Sequence, residues 1–193
     1  LQRHKTSGLS LIKKLRIAFG KRALRKEAAR DGRIRRAVNL AEARDIGILF
    51  NMTSETEYDR VSRFARSLQE QGKKVQVIGF YKYRKLPPYY AQKLAYDIIQ
   101  PRNLDLFYRP SAGFVAHFIN HPFDMLIDLG TTNEFPLYYI AVLSKAGFKL
   151  GRKGEAEAGN LPYDLMIETD QETESEALIR HLIYYTSAFR FNG

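Results

Sequence analysis

Two clusters of polar residues stand where apolar runs end. Asn51, Thr53 and Ser54 close the run DIGILFN, and Asp128, Thr131, Thr132 and Asn133 close the run FDMLIDL. They offer hydroxyls, amides, one carboxylate and the starts of two helices, a set that suits a small polar or anionic ligand. The same residue types cap helices, which is their commoner use at such positions. Ser54 with Glu57 spells a capping box. Asp124, Asp128, Asp164 and Glu168 are the carboxylates on strand-like runs. Asp124 and Asp164 each follow an aromatic at a strand start and read as structural. Asp128 and Glu168 stand at strand ends, and an acid–base pair between them requires neighbouring strands. His117 and His121 share a helix face at a spacing that suits a metal pair. No third ligand follows them, so no metal site is assigned.

The absences narrow the chemistry further. With no Cys there is no thiolate nucleophile, disulfide or cysteine-ligated metal. No GxGxxG follows the first strand and no GxxxxGK[ST] occurs, which argues against glycine-loop nucleotide binding. Nucleophile-elbow, Ser-x-x-Lys and His-Glu-x-x-His motifs are also missing. The reading leans away from an enzyme, and names no catalytic residue and no cofactor.

The strongest signal is where the charge lies. The chain has 193 residues, 31 Lys and Arg, 21 Asp and Glu, and a net charge of +10. Residues 1–44 hold fourteen of the cations against Glu27, Asp31 and Glu42, a net +11. The other 149 residues hold 17 cations against 18 acids, a net −1. A basic arm of this kind attracts nucleic-acid phosphates or an anionic membrane surface. Its bland alternative is a solvated tail. Lys13, Lys14, Arg16, Lys21, Arg22, Arg25, Lys26, Arg33, Arg35 and Arg36 are the expected phosphate contacts. A second basic stretch, residues 81–96, has five Tyr, four cations and no acid. Tyr81, Tyr83, Tyr89 and Tyr90 would stack bases while Arg84 and Lys85 track phosphates. One polyanion could engage both stretches.

Elements must position these groups. Residues 9–44 are rich in helix formers. Ile12, Leu15, Phe19 and Ala23 form an apolar stripe that Arg22 and Lys26 encroach upon, and packing on the body is its default use. Gly20 and Asp31-Gly32 read as breaks. The membrane reading lacks bulk on that stripe, and the chain has no Trp. No apolar stretch is long enough to be a secretory signal or a membrane span. An Arg-rich, acid-poor start is also what an organelle transit peptide shows, and the cytoplasm is the simpler setting. From Asp45 onward strands and helices alternate. Strands are expected at 45–51, 74–81, 97–100, 104–108, 123–129, 148–151 and 163–168. Helices are expected after Ser54, at 111–120, at 136–146, and after a Thr169/Glu172 cap through Phe189, with a loop at 155–160. Pro87-Pro88 forces a non-helical stretch. The pattern predicts an α/β fold: one Rossmann-like three-layer sandwich over 45–193 with a mainly parallel sheet, preceded by a basic helical arm over 1–44.

Residues 123–151 (FDMLIDLGTTNEFPLYYIAVLSKAGFKLG) resemble a strand–helix–strand segment in the acceptor half of heptosyltransferase-type glycosyltransferases. The chain has no room for that family's second domain, so its catalysis is not carried over. A wider likeness rests on the basic N-terminal helix, the strand ending in Phe50-Asn51, the run Val77-Ile78-Gly79-Phe80, residues 142–151, and the final YDLMI strand with its helix. On these the chain resembles an uncharacterised family from Bacteroidetes. The likeness implies a Rossmann-like domain in a bacterial cytosol, and no reaction. The expectation is a non-catalytic RNA-binding or ribosome-associated protein. The alternatives are a small-ligand module or enzyme at the Asn51 and Asp128 loops, and a peripheral membrane protein held by its arm.

Overall fold

In a computed structural model, residues 3–29, 32–93, 96–153, 162–168 and 175–188 are described. A long helix α1 (Arg3–Ala28) precedes β1 (Asp45–Asn51), α2 (Glu55–Glu70), β2 (Lys74–Phe80), α3 (Pro88–Lys93) and β3 (Asp97–Ile99). A 3₁₀ turn, Pro101–Asn103, leads to α4 (Gly113–Asn120), β4 (Met125–Asp128), α5 (Phe135–Leu143), β5 (Phe148–Arg152), β6 (Leu165–Ile167) and α6 (Ser175–Ala188). The six strands pair in parallel in the order β3-β2-β1-β4-β5-β6. This is the doubly wound Rossmann order, with its switch point between β1 and β4.

Local chemistry accounts for the elements. Residues 46–51 of β1 are all buried, as a central parallel strand covered on both faces must be. Ser54 caps α2 by accepting from the Glu57 backbone N–H at 3.1 Å. Tyr58, Val61, Phe64, Ala65 and Leu68 then bury one face of that helix. Gly72, at φ 79°, turns the chain just past its end. One core cluster joins the sheet to α2 and α6 through Phe50, Tyr58, Phe64, Leu178 and Leu182. The other joins it to α4 and α5 through Leu49, Phe118, Phe123, Leu137 and Ile140.

Helix α5 is the unusual one. Seven of its nine residues are buried, because it has apolar side chains all the way round. The sheet covers its inner side and α1 covers its outer side. Leu24 of α1 packs against Phe135, Tyr139 and Leu143, flanked by Ile17 and Ala28. Gly20 therefore lies inside α1 and does not break it. A Cβ there would collide with the Phe107 carbonyl oxygen and meet the Phe135 ring at 2.8 Å. The helix thus docks on the face of Ile17, Gly20, Leu24 and Ala28. The expected stripe does not pack: Ile12, Leu15 and Phe19 are exposed.

Other expectations shift. Residues 104–108 form no strand; they belong to a tight loop closed by a lone bridge between Leu104 and Pro110. Asp105 competes for that backbone, its carboxylate accepting from the N–H groups of Phe107 and Arg109 at 2.8 and 2.9 Å. Pro88 opens α3, a place where proline's missing N–H costs nothing. The Thr169/Glu172 cap, the loop at 155–160, Asp31 and Phe189 lie outside the described residues.

Residues 33–44 run as a strap beneath the amino ends of the strands. Val38 and Ala43 are buried there. The Arg36 N–H donates to the Gly147 carbonyl at 2.9 Å. Arg33 forks onto Asp164 at 2.6 and 2.8 Å, with both side chains mostly buried. Asp164 is held below the usual carboxylate range: burial pushes it up, but hydrogen bonds from Arg33 and the Lys149 N–H outweigh that.

Gly20 and Lys149 make this packing testable. Gly→Ala inside a helix normally stabilises by about 1 kcal/mol. Gly20→Ala should instead destabilise by about 1–3 kcal/mol, because overpacking against backbone wins; urea denaturation reads the sign. Lys149 is buried on β5 and donates to the Ala141 and Val142 carbonyls at 2.7 and 3.0 Å. Burial first, then Arg33, lowers its pKa from 10.5 to about 7. Between those values the unfolded chain binds more protons than the folded one, so this group's contribution to stability rises with pH. Lys149→Met should lose that rise between about pH 7 and 10.5, as measured by denaturation across pH.

Candidate functional site

The strand order brings the two polar clusters together. Leu49 of β1 pairs with Asp128 of β4, so Asn51 and Asp128 end adjacent strands at the switch point. Both side chains are buried and turned to internal work. Asn51 Oδ1 accepts from the Thr132 N–H at 3.1 Å, tying the β4 loop to β1. Asp128 accepts from the Gly130 N–H at 2.8 Å and from the Tyr163 hydroxyl at 2.6 Å. Burial pushes the Asp128 carboxyl up, against the pull of Tyr163, Gly130 and the Arg152 charge. Burial, then Asp128, pushes the Tyr163 hydroxyl well up in turn. Ser54 is engaged as the α2 cap, and Thr53, Thr132 and Asn133 are exposed. Thr131 is half-buried. A cleft of about 330 Å³ lies between α1, α4 and α5, beside Glu27, Ile119, Tyr139 and Lys145. A groove runs along α2 past Asp59, Arg63, Arg66 and Tyr96. Neither is lined by the switch-point residues.

Other pairings resolve in the same way. Strand β5 lies between β4 and β6, which keeps Asp128 and Glu168 on non-adjacent strands. Glu168 is exposed and pairs with Lys153 at 2.9 Å. The His117 and His121 rings lie 6.2 Å apart, and His121 Nε2 meets Asp45 Oδ2 at 2.9 Å. Among the described residues no three His, Cys, Asp or Glu side chains are grouped to hold a metal.

The cations of the first 44 residues divide into two kinds. Arg33 is engaged by Asp164, Arg36 pairs with Asp124, and Arg35 stands 3.6 Å from Asp164. These three hold the strap. On α1, Arg16 donates to the carbonyls of Leu106 and Asp105 at 2.6 and 2.9 Å, and the Lys13 ammonium lies 5.0 Å from the Tyr108 ring centre. Lys14, Arg22, Arg25 and Lys26 are exposed, and Lys21 is half-buried. At helical spacing, Arg22 and Lys26 share the side of Ile12, Leu15 and Phe19; Lys14 and Arg25 lie off it, and half-buried Lys21 borders the docked face.

The tyrosine-rich stretch belongs to the opposite side of the sheet. Tyr81, Tyr89 and Tyr96 pack on the core cluster of α2 and α6, whereas α1 covers α5. Tyr90 is buried and donates its hydroxyl to the Tyr96 carbonyl at 2.5 Å. Tyr89 leans on Tyr58 with ring centres 6.2 Å apart. Tyr83 is exposed beside Tyr81, with the Lys82 ammonium over its ring. Arg84 and Lys85 are exposed, and Gln100 donates to the Tyr83 and Arg84 carbonyls. The two basic stretches therefore stand on different layers.

The residues that sequence reasoning missed are in the loop 105–109. Asp105 and Arg109 pair at 2.7 Å across it, and Arg16 clamps its carbonyls. Burial raises the Asp105 carboxyl, but hydrogen bonds from Arg109 and Phe107 hold it below its ordinary range. Leu106 and Phe107 are left exposed at the tip. An acid and an Arg four apart, followed by Pro110, was the available signal for a turn.

Asp128 can be tested as an internal group. A carboxyl raised by burial loses its contribution to stability as pH rises. Asp128→Asn keeps the acceptor for Gly130 and removes the buried charge. It should gain stability relative to wild type as pH rises above about 4, measured by urea denaturation at several pH values.

No curated protein and no solved structure matches the chain. A model of a family of unknown function, DUF6913, matches residues 16–189, which takes in α1 from Arg16 onward and the whole sheet. The chain is a member of that family.

Proposed function

We propose that the protein is a non-catalytic binding protein that docks on a phosphate-bearing surface through α1. One observation carries the reading. With Arg33 and Arg36 engaged in the strap, α1 still presents Lys14, Arg22, Arg25 and Lys26 to solvent, packed on the body through Leu24 and Gly20. A positioned row of cations attracts phosphates without reading sequence. RNA, including ribosomal RNA in the cytoplasm, has the chemistry such a row engages. The internal use of Asn51 and Asp128 favours binding over catalysis at the switch point.

The test is salt dependence. Binding to polyuridylate should weaken steeply as salt rises. Replacing Lys14, Arg22, Arg25 and Lys26 by Gln should flatten the log–log slope by about 3 units. Replacing Lys82, Arg84 and Lys85 should leave it unchanged. An unaltered slope in the first variant would overturn the reading.

A further inference from the structure

We infer that the surface α1 meets is an anionic lipid bilayer, into which Leu106 and Phe107 insert beside the exposed stripe of α1. The inference rests on the phosphate-surface reading and names its partner. RNA needs cations alone, and this surface has more than cations. Leu11, Ile12, Leu15 and Phe19 are each more than half exposed on α1. Leu106, whose carbonyl is held by Arg16 of α1, is 78% exposed. The Phe19 and Phe107 ring centres are 6.3 Å apart, so helix and loop form one apolar surface. A helix with this stripe alone has little bulk to bury in a membrane interface. The loop supplies the missing bulk.

The loop is built to hold that bulk outward. Tyr108 adopts φ 63°, a conformation unfavourable to a bulky side chain. It is held there by its own N–H donating to the Asp105 carbonyl at 3.1 Å and by the Asp105–Arg109 pair. Arg16 fixes the loop to α1 through two carbonyls, and Gly20 lets the Phe107 carbonyl approach the helix. Strain maintained by so many contacts, with Leu106 exposed and Phe107 partly exposed between Phe19 and Arg109 at its apex, marks a binding feature. Arg22 and Lys26 share the stripe's side, and Lys14 and Arg25 lie off it. Apolar insertion beside Lys and Arg is the chemistry of interfacial attachment to anionic lipid.

The chain has no Trp, so Phe107→Trp creates a single indole reporter in this chain. The probes are phosphatidylcholine vesicles with and without phosphatidylglycerol, and polyuridylate. The expected result is a blue shift of the indole emission with phosphatidylglycerol vesicles, absent with phosphatidylcholine alone. Leu106→Ser with Phe107→Ser should weaken vesicle sedimentation at least about tenfold, with polyuridylate affinity unchanged. Both residues are at the surface, so the far-UV spectrum should not change. If the protein binds polyuridylate but not the anionic vesicles, the bilayer inference falls and the phosphate-surface reading stands. If it binds neither, both fall. Undiminished vesicle binding by the double serine variant would also overturn insertion through the loop.

Discussion

The structure depends on covering α5. A helix reading FPLYYIAVL has no polar face to give to water. Between the sheet and solvent it would expose Phe135, Tyr139 and Leu143, which a stable domain avoids. Helix α1 answers that need, and the requirement dictates how α1 is turned. Gly20 must face inward, because only a residue without Cβ allows the Phe107 carbonyl and the Phe135 ring to come so close. Once Gly20, Leu24 and Ala28 face α5, helical geometry sends Ile12, Leu15 and Phe19 away from it. The exposed stripe is therefore a consequence of the packed one.

The same fixed helix sorts the charge. Arg33 and Arg36 meet Asp164 and Asp124 under the amino ends of the strands, where they anchor the strap leading into β1. Removing one partner of the buried Arg33–Asp164 pair leaves an uncompensated charge, so Arg33 belongs to stability, whereas the Arg36 pair is largely exposed and contributes less. Arg16 is likewise given to the 105–109 loop. The net charge of the first 44 residues thus overstates the charge left without an internal partner. On α1, Lys14, Arg22, Arg25 and Lys26 remain exposed.

At the other edge of the sheet, the doubly wound order places Asn51 and Asp128 where ligands of this fold usually bind. Their hydrogen bonds go to Thr132, Gly130 and Tyr163 instead. A carboxylate with its charge disfavoured by burial and a phenol donating to it form a locked pair, which joins the strand ends to the segment before β6. The polar side chains of Asn51 and Asp128 are thus spent on tying the strand ends to their own loops.

Much of the fold was legible along the chain because its causes are local. Continuous apolar runs marked β1 and β2, a three-and-four spacing marked α2, and Ser54 and Gly72 marked that helix's ends. Asp124 and Asp164 were legible as structural from their place at strand starts. The 105–109 loop was misread, because its apolar residues resemble a strand while the competing Asp105 hydrogen bonds form only once the chain turns. The tyrosines could not be sorted by type, since burial of Tyr90 and exposure of Tyr83 depend on what covers them. Which face of α1 is buried was decided only in three dimensions. The sequence carried two apolar faces on that helix, and a helical period gives no preference between them. Shape settled it: the broader stripe of Ile12, Leu15 and Phe19 cannot approach α5 as closely as the face that contains a glycine.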